Sequence, residues 1–314
     1  MNPNSKIIVT GAAGLVGQNL VLLLRERGYT NLVAIDKHGP NLKVLRDLNP
    51  GVRVVEADLL DSGSWEAEFE GAEVVVQLHA QITGLGNAIF ARNNVEATGK
   101  VLEVIRRQPV QPFLVHISSS VVNSVADDDY TNTKKDQEKL VAASGLAHCT
   151  LRPTLMFGWF DPKHFGWLSR FMEKAPVFPI PGHGRYMRQP LYNRDFCRVI
   201  IHCIENQPKG AVYDIVGQER VDYVDIIHAI RKAKQLKTPI VHIPYGLFYA
   251  LLKVYALFSK QPPFTASQLK ALTAGDDFSG VDIKALFDIT PTPFDVAIKE
   301  TFTDPRYCAI ALER

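Results

Sequence analysis

Short apolar runs alternate with helical patterns along the first half of the chain. The runs are five or six residues long, and the segments between them carry apolar residues three and four positions apart. Because parallel strands need a crossover connection, this alternation predicts a parallel sheet with helices on its faces. The predicted strands cover residues 6–10, 31–36, 52–56, 73–78 and 113–118, and the clearest helices cover residues 15–27 and 94–107.

The pattern changes in the second half of the chain. Six proline and glycine residues fall within 176–190 and predict a loop there, and one more strand is expected at 212–216. Helical spacing returns near the carboxyl end, and the predicted helices cover residues 222–234, 245–259 and 267–273.

We therefore predict an α/β fold, in which a Rossmann-type doubly wound parallel sheet carries a smaller, mostly helical C-terminal substrate domain. The cofactor-binding domain would comprise residues 1–153, with a return of the chain to the sheet at about 190–217. The substrate-binding domain would comprise residues 154–189 and 218–314.

Composition and charge narrow the class of protein. The chain has 314 residues, of which 46% are hydrophobic and 22% charged, and this balance is typical of a globular fold rather than a disordered chain. A net charge of only +2 predicts no nucleic-acid partner. The four cysteines and nine histidines show no metal-ligand spacing, so we expect reduced thiols and no metal site. The amino terminus lacks a signal-peptide pattern, and we expect a cytoplasmic protein.

One apolar segment, residues 240–258, approaches the length of a membrane span. His242, Pro244 and Lys253 interrupt it, so we do not expect it to cross a bilayer. The favoured interpretation is a helix that is buried or covered by a partner. The alternative is an interfacial helix that contacts a membrane surface or lines an apolar substrate pocket, and peripheral membrane contact is not the favoured expectation.

The strongest local motif is TGAAGLVG at residues 10–17, between the first strand and the first helix. Glycines at positions 11, 14 and 17 allow a tight turn and let the backbone approach a pyrophosphate. The first N–H groups of the helix, at Leu15, Val16 and Gly17, would face the phosphates. This strand–turn–helix context predicts a bound dinucleotide.

Acidic residues at the next two strand ends favour NAD as the cofactor. Asp36 ends the second predicted strand, where its carboxylate would accept hydrogen bonds from the adenosine ribose and repel a 2′-phosphate. Asp58, after the third strand, could accept from the adenine amino group or cap a helix. Lys37 and His38 follow Asp36 directly, so NADP stays open as an alternative.

A second group of residues suggests proton transfer. Ser118, Ser119 and Ser120 end the fifth strand, and Tyr130 and Lys134 follow with the spacing Y-x-x-x-K. Four residues on a helix bring the phenol and the ammonium to one face. A neighbouring positive charge stabilises the phenolate, so Tyr130 could exchange a proton with a substrate hydroxyl, and a serine hydroxyl would hold the substrate oxygen.

Together these motifs resemble the extended short-chain dehydrogenase/reductase superfamily, in its NAD-dependent epimerase/dehydratase family. The similar segments are TGAAGLVG at 10–17, ADLLD at 57–61, VVQLHAQ at 75–81, NNVEATGKVLEV at 93–104, HISSS at 116–120, YTNTKKDQE at 130–138 and LRPTLMFG at 151–158. The resemblance implies that Ser120, Tyr130 and Lys134 are catalytic and that Asn94 supports the active site. The full set of predicted cofactor contacts is Gly11, Gly14, Leu15, Val16, Gly17, Asp36, Asp58, Leu59, Leu78, Ala80, Asn94, Ser118, Tyr130, Lys134 and Pro153.

For the substrate, the resemblance implies contacts with Gln81, Ser120 and Arg188. Arg188 precedes Asp195 by seven residues, where nucleotide-sugar enzymes place a diphosphate-binding arginine. The leading hypothesis is therefore a 4-epimerase or 4-ketoreductase of a nucleotide-diphosphate sugar. The alternatives are a hydroxysteroid-dehydrogenase-like oxidoreductase of an apolar alcohol and a non-catalytic, cofactor-binding assembly subunit.

The resemblance also implies a homodimer. Relatives pair the helices that correspond to residues 94–107 and 130–143 into a four-helix interface. Apolar residues on these helices, Val95, Leu102, Val141 and Ala142, are predicted to form the contact stripe.

Overall fold

The computed structural model describes residues 1–84, 86–125, 127–258, 264–275 and 278–313. The final residue of the predicted helix over 245–259 lies outside these ranges. In chain order the strands are β1 (Ile7–Thr10), β2 (Leu32–Asp36), β3 (Arg53–Glu56), β4 (Val74–Gln77), β5 (Phe113–Ile117), β6 (His148–Pro153), β7 (Met156–Phe157), β8 (Phe178–Pro181), β9 (Met187–Arg188), β10 (Leu191–Tyr192), β11 (Val212–Ile215), β12 (Val221–Asp222) and β13 (Ile240–Ile243).

The α-helices are α1 (Leu15–Glu26), α2 (Gly39–Leu48), α3 (Asn87–Phe90), α4 (Ala97–Arg106), α5 (Asp129–Ala142), α6 (Phe165–Lys174), α7 (Asn193–Asn206), α8 (Tyr223–Ala233), α9 (Tyr245–Phe258), α10 (Ala266–Ala274), α11 (Ile283–Phe287) and α12 (Phe294–Thr303). Short 3₁₀ helices cover Ser64–Phe69 and Ser120–Asn123, and a π-helical segment, Ala91–Glu96, leads into α4.

The central sheet has seven parallel strands in the order β11-β6-β5-β4-β1-β2-β3. Ile7 of β1 is in register with Leu32 of β2 and Val74 of β4. Because the chain leaves β3 and starts again on the other side of β1, the strand order reverses between β1 and β4, and ligands bind at such a crevice in open α/β sheets. The predicted Rossmann-type α/β fold is confirmed.

Helices cover both faces of this sheet. On one face the strands pack against α1, α7 and α11, and on the other against α4, α5 and the Ser64–Phe69 helix. Side chains of β1 alternate accordingly, with Ile7 and Val9 in the first cluster and Ile8 in the second. Strands buried on both faces explain why the sequence shows continuous apolar runs rather than alternation.

The two predicted dimer helices use part of their apolar stripe within the chain itself. Leu102 and Val141 are buried in the cluster between α4, α5 and the sheet. The prediction that Leu102 and Val141 contribute to a dimer interface is therefore wrong, because both side chains are already covered within the chain. The homodimer and the boundaries of the two domains stay predictions.

The proline-rich segment expected as a loop contains strands instead. Phe178–Pro181 forms β8, which pairs in parallel with β13. Phe178 and Gly182 donate their N–H groups to carbonyls of the β13 segment, while the intervening Pro179 and Pro181 have none to donate. Because β8 belongs to a sheet of two strands, this proline spacing is compatible with strand pairing.

The apolar segment 240–258 is divided at Pro244 into β13 and α9. The first form of the favoured interpretation, a helix buried within the chain, is wrong for α9, where Phe248 is the one buried residue of the described helix. Its cover by a partner stays a prediction. Within the described ranges, the structure contains no helix with the length and apolar character needed to cross a membrane.

Candidate cofactor and active site

The glycine turn between β1 and α1 is closely packed at two positions. Gly11 has φ +72°, and a Cβ there would lie 2.4 Å from the backbone nitrogen of His79 at the end of β4. A Cβ at Gly17 would lie 2.4 Å from the carbonyl oxygen of Ala12. Both distances are too short for any side chain, so the two glycines allow the strand, the turn and the helix to pack together.

The first turn of α1 presents N–H groups to the crevice. Gly14 is the N-cap residue and provides no side-chain cap, and the first intrahelical bond runs from the Gln18 N–H to the Gly14 carbonyl. The N–H groups of Leu15, Val16 and Gly17 precede this bond, as expected for a helix start that binds phosphate. The turn therefore fits the pyrophosphate of a dinucleotide.

Asp36 is held rigidly at the end of β2. Its Oδ2 accepts from the Ala13 N–H at 3.0 Å, and its Oδ1 accepts from the His38 N–H at 3.0 Å. These bonds connect the carboxylate to the glycine turn and leave further lone pairs on both oxygens. This geometry fits a carboxylate that accepts from ribose hydroxyls beside the pyrophosphate site.

Asp58 lies in a small charged group beside this position. Its carboxylate accepts from the Leu60 N–H at 3.2 Å and contacts the ammonium of Lys37 at 3.3 Å and the guanidinium of Arg92 at 3.7 Å. Partial burial acts to raise the pKa of Asp58, but the Leu60 N–H and the charge of Lys37 outweigh it and the pKa is lowered. Lys37 also donates to Asn93 at 2.6 Å, so its ammonium is held between two acceptors.

Tyr130 lies in the first turn of α5, near the serines that follow β5. Burial raises the pKa of its phenol, while the nearby Ser119 hydroxyl acts in the opposite direction. Ser120, the predicted catalytic hydroxyl, is buried at the start of the 3₁₀ helix. The serine that the structure brings to the phenol is therefore Ser119, which the sequence analysis did not select, and the role of Ser120 stays a prediction.

Lys134 is almost completely buried, with 1% of its surface exposed. Its ammonium donates to the Ile117 carbonyl at 3.0 Å and to Oε1 of Gln137 at 2.6 Å. Burial lowers the pKa of Lys134 to about 7, although Glu138 acts to raise it. The amine is thus poised between its charged and neutral forms near neutral pH, as a group that exchanges protons requires.

A buried polar network extends from Lys134 to the first strand. Nε2 of Gln137 and Nε2 of Gln77 both donate to the Thr98 hydroxyl, at 2.7 and 2.6 Å. With two donors on its oxygen, Thr98 has its proton available for Nε2 of His79 at 3.4 Å. When Nε2 of His79 accepts this proton, the single proton of the neutral ring lies on Nδ1, which donates to the Thr10 hydroxyl at 2.9 Å.

The histidines of this region are uncharged at neutral pH. Burial and the nearby charge of Lys134 lower the pKa of His79 to about 3. The same two causes place the pKa of His116 well below its ordinary value. His116 is completely buried in β5, and among the described residues neither of its ring nitrogens has a hydrogen-bond partner.

Asn94 connects the end of β4 to the active-site helix. Its side chain accepts from the Gln81 N–H at 2.6 Å and donates to the Gln81 carbonyl at 3.1 Å and to the Thr133 hydroxyl at 3.0 Å. Thr133 lies between Tyr130 and Lys134 on α5. Asn94 therefore holds the Gln81 backbone against the helix that carries both predicted catalytic residues.

An ion pair fixes the other side of α5. Arg152 of β6 donates from Nε and Nη2 to the two carboxylate oxygens of Glu138, at 2.9 and 2.6 Å. Its Nη1 also donates to Asn123 at 3.2 Å, in the 3₁₀ helix after the serines. This bidentate contact ties α5 to the sheet and to the serine segment.

The remaining predicted cofactor residues lie at the carboxyl ends of the strands. Leu59 is buried in the sheet core, Leu78 donates its N–H to the Thr10 carbonyl, and Ala80 is exposed. Ser118 is buried with its N–H bonded to the Leu151 carbonyl, and Pro153 ends β6. These positions follow from the parallel sheet, and their contacts with the cofactor stay predictions.

Arg188 lies apart from the glycine turn, in the short strand β9 that pairs with β12. Burial raises the pKa of Tyr223, the first residue of α8, and the positive charge of Arg188 acts in the opposite direction. The charge of the guanidinium therefore acts on the Tyr223 phenol. The substrate role of Arg188 stays a prediction.

Tyr223 also lines an apolar cavity of about 350 Å³. The cavity lies among α6, β8, α8, α9 and α10, and among the described residues that line it none is charged. Its walls include Trp167, Phe171, Phe178, Phe248 and Leu252. The sequence analysis named the apolar segment 240–258 as a pocket candidate but could not join it to α6, because these elements meet only in the folded chain.

Comparisons with known proteins agree with this geometry. Sterol-4-alpha-carboxylate 3-dehydrogenase, decarboxylating, of Mus musculus is 25% identical over 335 aligned positions, which cover 94% of this chain and 90% of that protein. A 3 beta-hydroxysteroid dehydrogenase/Delta 5-->4-isomerase of Mycobacterium tuberculosis is 28% identical, with 56% of this chain and 54% of that protein covered.

The fold is also similar to that of UDP-glucose 4-epimerase from Thermotoga maritima, solved with UDP-glucose. The TM-score is 0.75 at 19% identity, and the superposition covers 94% of this chain and 97% of the other. The family described as NAD dependent epimerase/dehydratase matches residues 7–216. Because that match spans about two thirds of the chain and includes both the glycine turn and the Tyr130–Lys134 pair, this protein belongs to the NAD-dependent epimerase/dehydratase family of extended short-chain dehydrogenases/reductases, and its cofactor is NAD.

Proposed function

We propose that this protein oxidises or reduces a hydroxyl/ketone group on an apolar, lipid-like substrate, with NAD as the hydride partner. The observation that carries the proposal is the apolar cavity of about 350 Å³. Its volume falls in the range of small-molecule sites. A diphosphate or a sugar buried there would leave polar groups without partners, which is unfavourable, whereas a hydrocarbon skeleton would find only apolar neighbours.

The position of the cavity supports this proposal. The carboxyl end of β6 leads through β7 into α6, whose Trp167 and Phe171 line the cavity. The serines after β5 lie at the same end of the sheet, where ligands of open α/β sheets bind. A substrate could therefore place its apolar body among α6, α8 and α9 and its hydroxyl near Tyr130.

NAD and the residues at the strand ends would have separate roles in the reaction. When bound, NAD supplies the hydride acceptor or donor. Tyr130 would exchange the hydroxyl proton, and the serine hydroxyl beside it would hold the substrate oxygen. The Lys134 amine, with a pKa near 7, would support the phenolate by its charge and exchange a proton with its neighbours.

The names of two relatives support an apolar substrate. The mouse protein is named for a sterol carboxylate and the mycobacterial protein for a hydroxysteroid. The non-catalytic alternative is not supported, because the chain belongs to a family of NAD-dependent enzymes.

Tryptophan fluorescence can test the proposed substrate class. Trp167 lines the cavity, while Trp65 and Trp159 are buried in other clusters. We expect a 3β-hydroxysteroid to change the fluorescence at micromolar concentration and Trp167→Phe to remove that change. Leu252→Gln in the cavity wall should weaken binding by roughly tenfold or more, since an uncompensated polar group is introduced. Leu286→Gln, on the exposed side of α11, is the matched control.

A nucleotide-diphosphate sugar is the second candidate, because Arg188 supplies a cation near the cavity and the Thermotoga maritima neighbour was solved with UDP-glucose. Under this candidate, Arg188→Ala should weaken UDP binding by about 10- to 150-fold and leave NAD binding unchanged. Calorimetric binding of UDP together with no response to the steroid would contradict the apolar proposal and favour this candidate.

A further inference from the structure

The helix α9 carries an exposed apolar stripe in addition to its cavity face. Leu247, Leu251, Val254 and Phe258 recur at intervals of four, three and four residues, so they lie on one face of the helix. All four are exposed, and Phe258 retains 85% of its surface. Contiguous apolar surface of this kind is uncommon on a protein that stays in water, and it marks an interaction site.

The stripe is continuous with the cavity. Phe248, Leu252 and Tyr255 of the same helix line the cavity, and Leu251 belongs to both surfaces. Leu251 and Tyr255 are about half exposed while they line it, which means that the cavity opens beside the stripe. An apolar molecule could therefore pass from whatever covers the stripe into the cavity without crossing water.

The stretch of sequence that contains α9 carries charge of one sign. Residues 226–275 contain no aspartate or glutamate, although the whole chain has a net charge of only +2. The segment carries seven basic residues: Arg231, Lys232, Lys234, Lys237, Lys253, Lys260 and Lys270. Because the rest of the chain is net acidic, positive charge is concentrated in the segment that bears the stripe. Basic residues beside an apolar helix favour an anionic lipid surface.

We propose that α9 docks this protein on an anionic membrane surface, with the mouth of the cavity turned towards the lipid. The apolar stripe would enter the boundary between headgroups and acyl chains, and the exposed basic residues Lys232, Lys237, Lys253 and Lys270 would contact the headgroups. The docking itself does not depend on the proposed function. The delivery of a substrate from the membrane rests on it.

Vesicle flotation with the full-length chain tests the docking. We expect the protein to float with vesicles of phosphatidylcholine that contain about one third phosphatidylglycerol, and to bind pure phosphatidylcholine at least about tenfold more weakly. The variant Leu247→Ser/Phe258→Ser should bind the anionic vesicles at least about tenfold more weakly than wild type. Neither residue lines the cavity.

The control variant is Leu286→Ser/Val296→Ser, which changes two exposed apolar residues on α11 and α12 and should float like wild type. Equal thermal unfolding temperatures of the two variants would show that folding is unaffected. Wild-type protein that does not float with anionic vesicles would overturn the proposal, as would equal flotation of the two variants. A wild-type dimer that ignores vesicles and becomes monomeric in Leu247→Ser/Phe258→Ser would show that a second copy covers α9 instead. The flotation experiment contains no substrate, so a negative result would overturn the membrane docking but not the proposed function. The proposed function is tested separately by the steroid titration.

Discussion

At the scale of single residues, the active site is shaped by burial more than by sequence spacing. The placement of Tyr130 and Lys134 on one helix could be predicted from their spacing. The hydrogen bond from Lys134 to the Ile117 carbonyl, and the bond from Gln137 to the Thr98 hydroxyl, could not be predicted, since both depend on the packing of β5 and α4 against α5. Gln137 was within reach of prediction, because it lies three residues after Lys134 on the same helix face.

The buried amine should make stability depend on pH. The pKa of Lys134 is about 7 in the folded protein and about 10.4 in an unfolded chain, so the unfolded chain binds the proton first as the pH falls. Relative to Lys134→Met, the wild type should lose stability by up to about 1.4 kcal/mol per pH unit from about pH 10 down to about pH 7, with no further change below. Urea denaturation of both proteins across this range measures the difference. Lys139→Met, on the exposed side of α5, controls for helix propensity, and a constant difference between wild type and Lys134→Met would contradict the buried charge.

The two serines after β5 make separable predictions. Because the Ser119 hydroxyl lies near the Tyr130 phenol and acts to lower its pKa, Ser119→Ala should raise the apparent pKa of the basic limb of kcat/KM. If Ser120 instead holds the substrate oxygen, as the family resemblance implies, Ser120→Ala should lower kcat by about 10- to 1000-fold without that shift. Measuring kcat/KM against pH for both variants distinguishes the roles. An unshifted profile in Ser119→Ala would show that its hydroxyl does not act on the phenol.

The choice between NAD and NADP also depends on single side chains. Asp36 places a negative charge beside the ribose position, and Lys37 is held by Asp58 and Asn93. We expect NAD to bind at least about tenfold more tightly than NADP. Asp36→Asn should bring the dissociation constants of the two dinucleotides closer together. Fluorescence titration of both dinucleotides measures it, with Asp61→Asn as the control. Tighter NADP binding by wild type would mean that Lys37 leaves its acceptors.

At the scale of elements, the sequence predicted secondary structure best where the apolar pattern depends on a single strand or helix. Six of the seven strands of the central sheet were recognised within one or two residues, because strands buried on both faces require continuous β-branched runs. Strand β6 was not among the strands predicted from the apolar pattern. Strand β8 was missed, since prolines normally end strands and its partner β13 lies about 60 residues later in the chain. The segment 240–258 was misjudged because apolar spacing does not reveal whether another element will cover the helix.

Two helical glycines allow a direct test of the turn packing. A Cβ at Gly17 would lie 2.4 Å from the Ala12 carbonyl, while a Cβ at Gly99 of α4 would meet open space. We expect Gly17→Ala to lower the free energy of unfolding by about 1–3 kcal/mol and to weaken NAD binding. Gly99→Ala should raise it by about 0.5–1 kcal/mol, because alanine favours the helix. Chemical denaturation measures both, and similar changes in the two variants would refute the close approach of α1 to the turn.

At the scale of the whole molecule, the structure combines a polar reaction centre with an apolar second half. Lys134, Gln137, Thr98 and His79 form a buried polar network under the sheet end, whereas the cavity and α9 are almost entirely apolar. The family and the cofactor could be predicted from motifs that lie in single loops and helices. The substrate class could not, because the cavity is assembled from elements between residues 165 and 272 that share no local motif.

The most direct test of this account is the formation of NADH from NAD and a 3β-hydroxysteroid, followed by absorbance. Wild type should form NADH, and Tyr130→Phe should lower kcat by about 10²- to 10⁴-fold, because the phenol proton is lost while the cavity is unchanged. Tyr213→Phe, on β11 against Phe287, is the matched control and should react like wild type. Absence of NADH with the steroid but turnover of a UDP-sugar, or an unchanged kcat in Tyr130→Phe, would contradict the account.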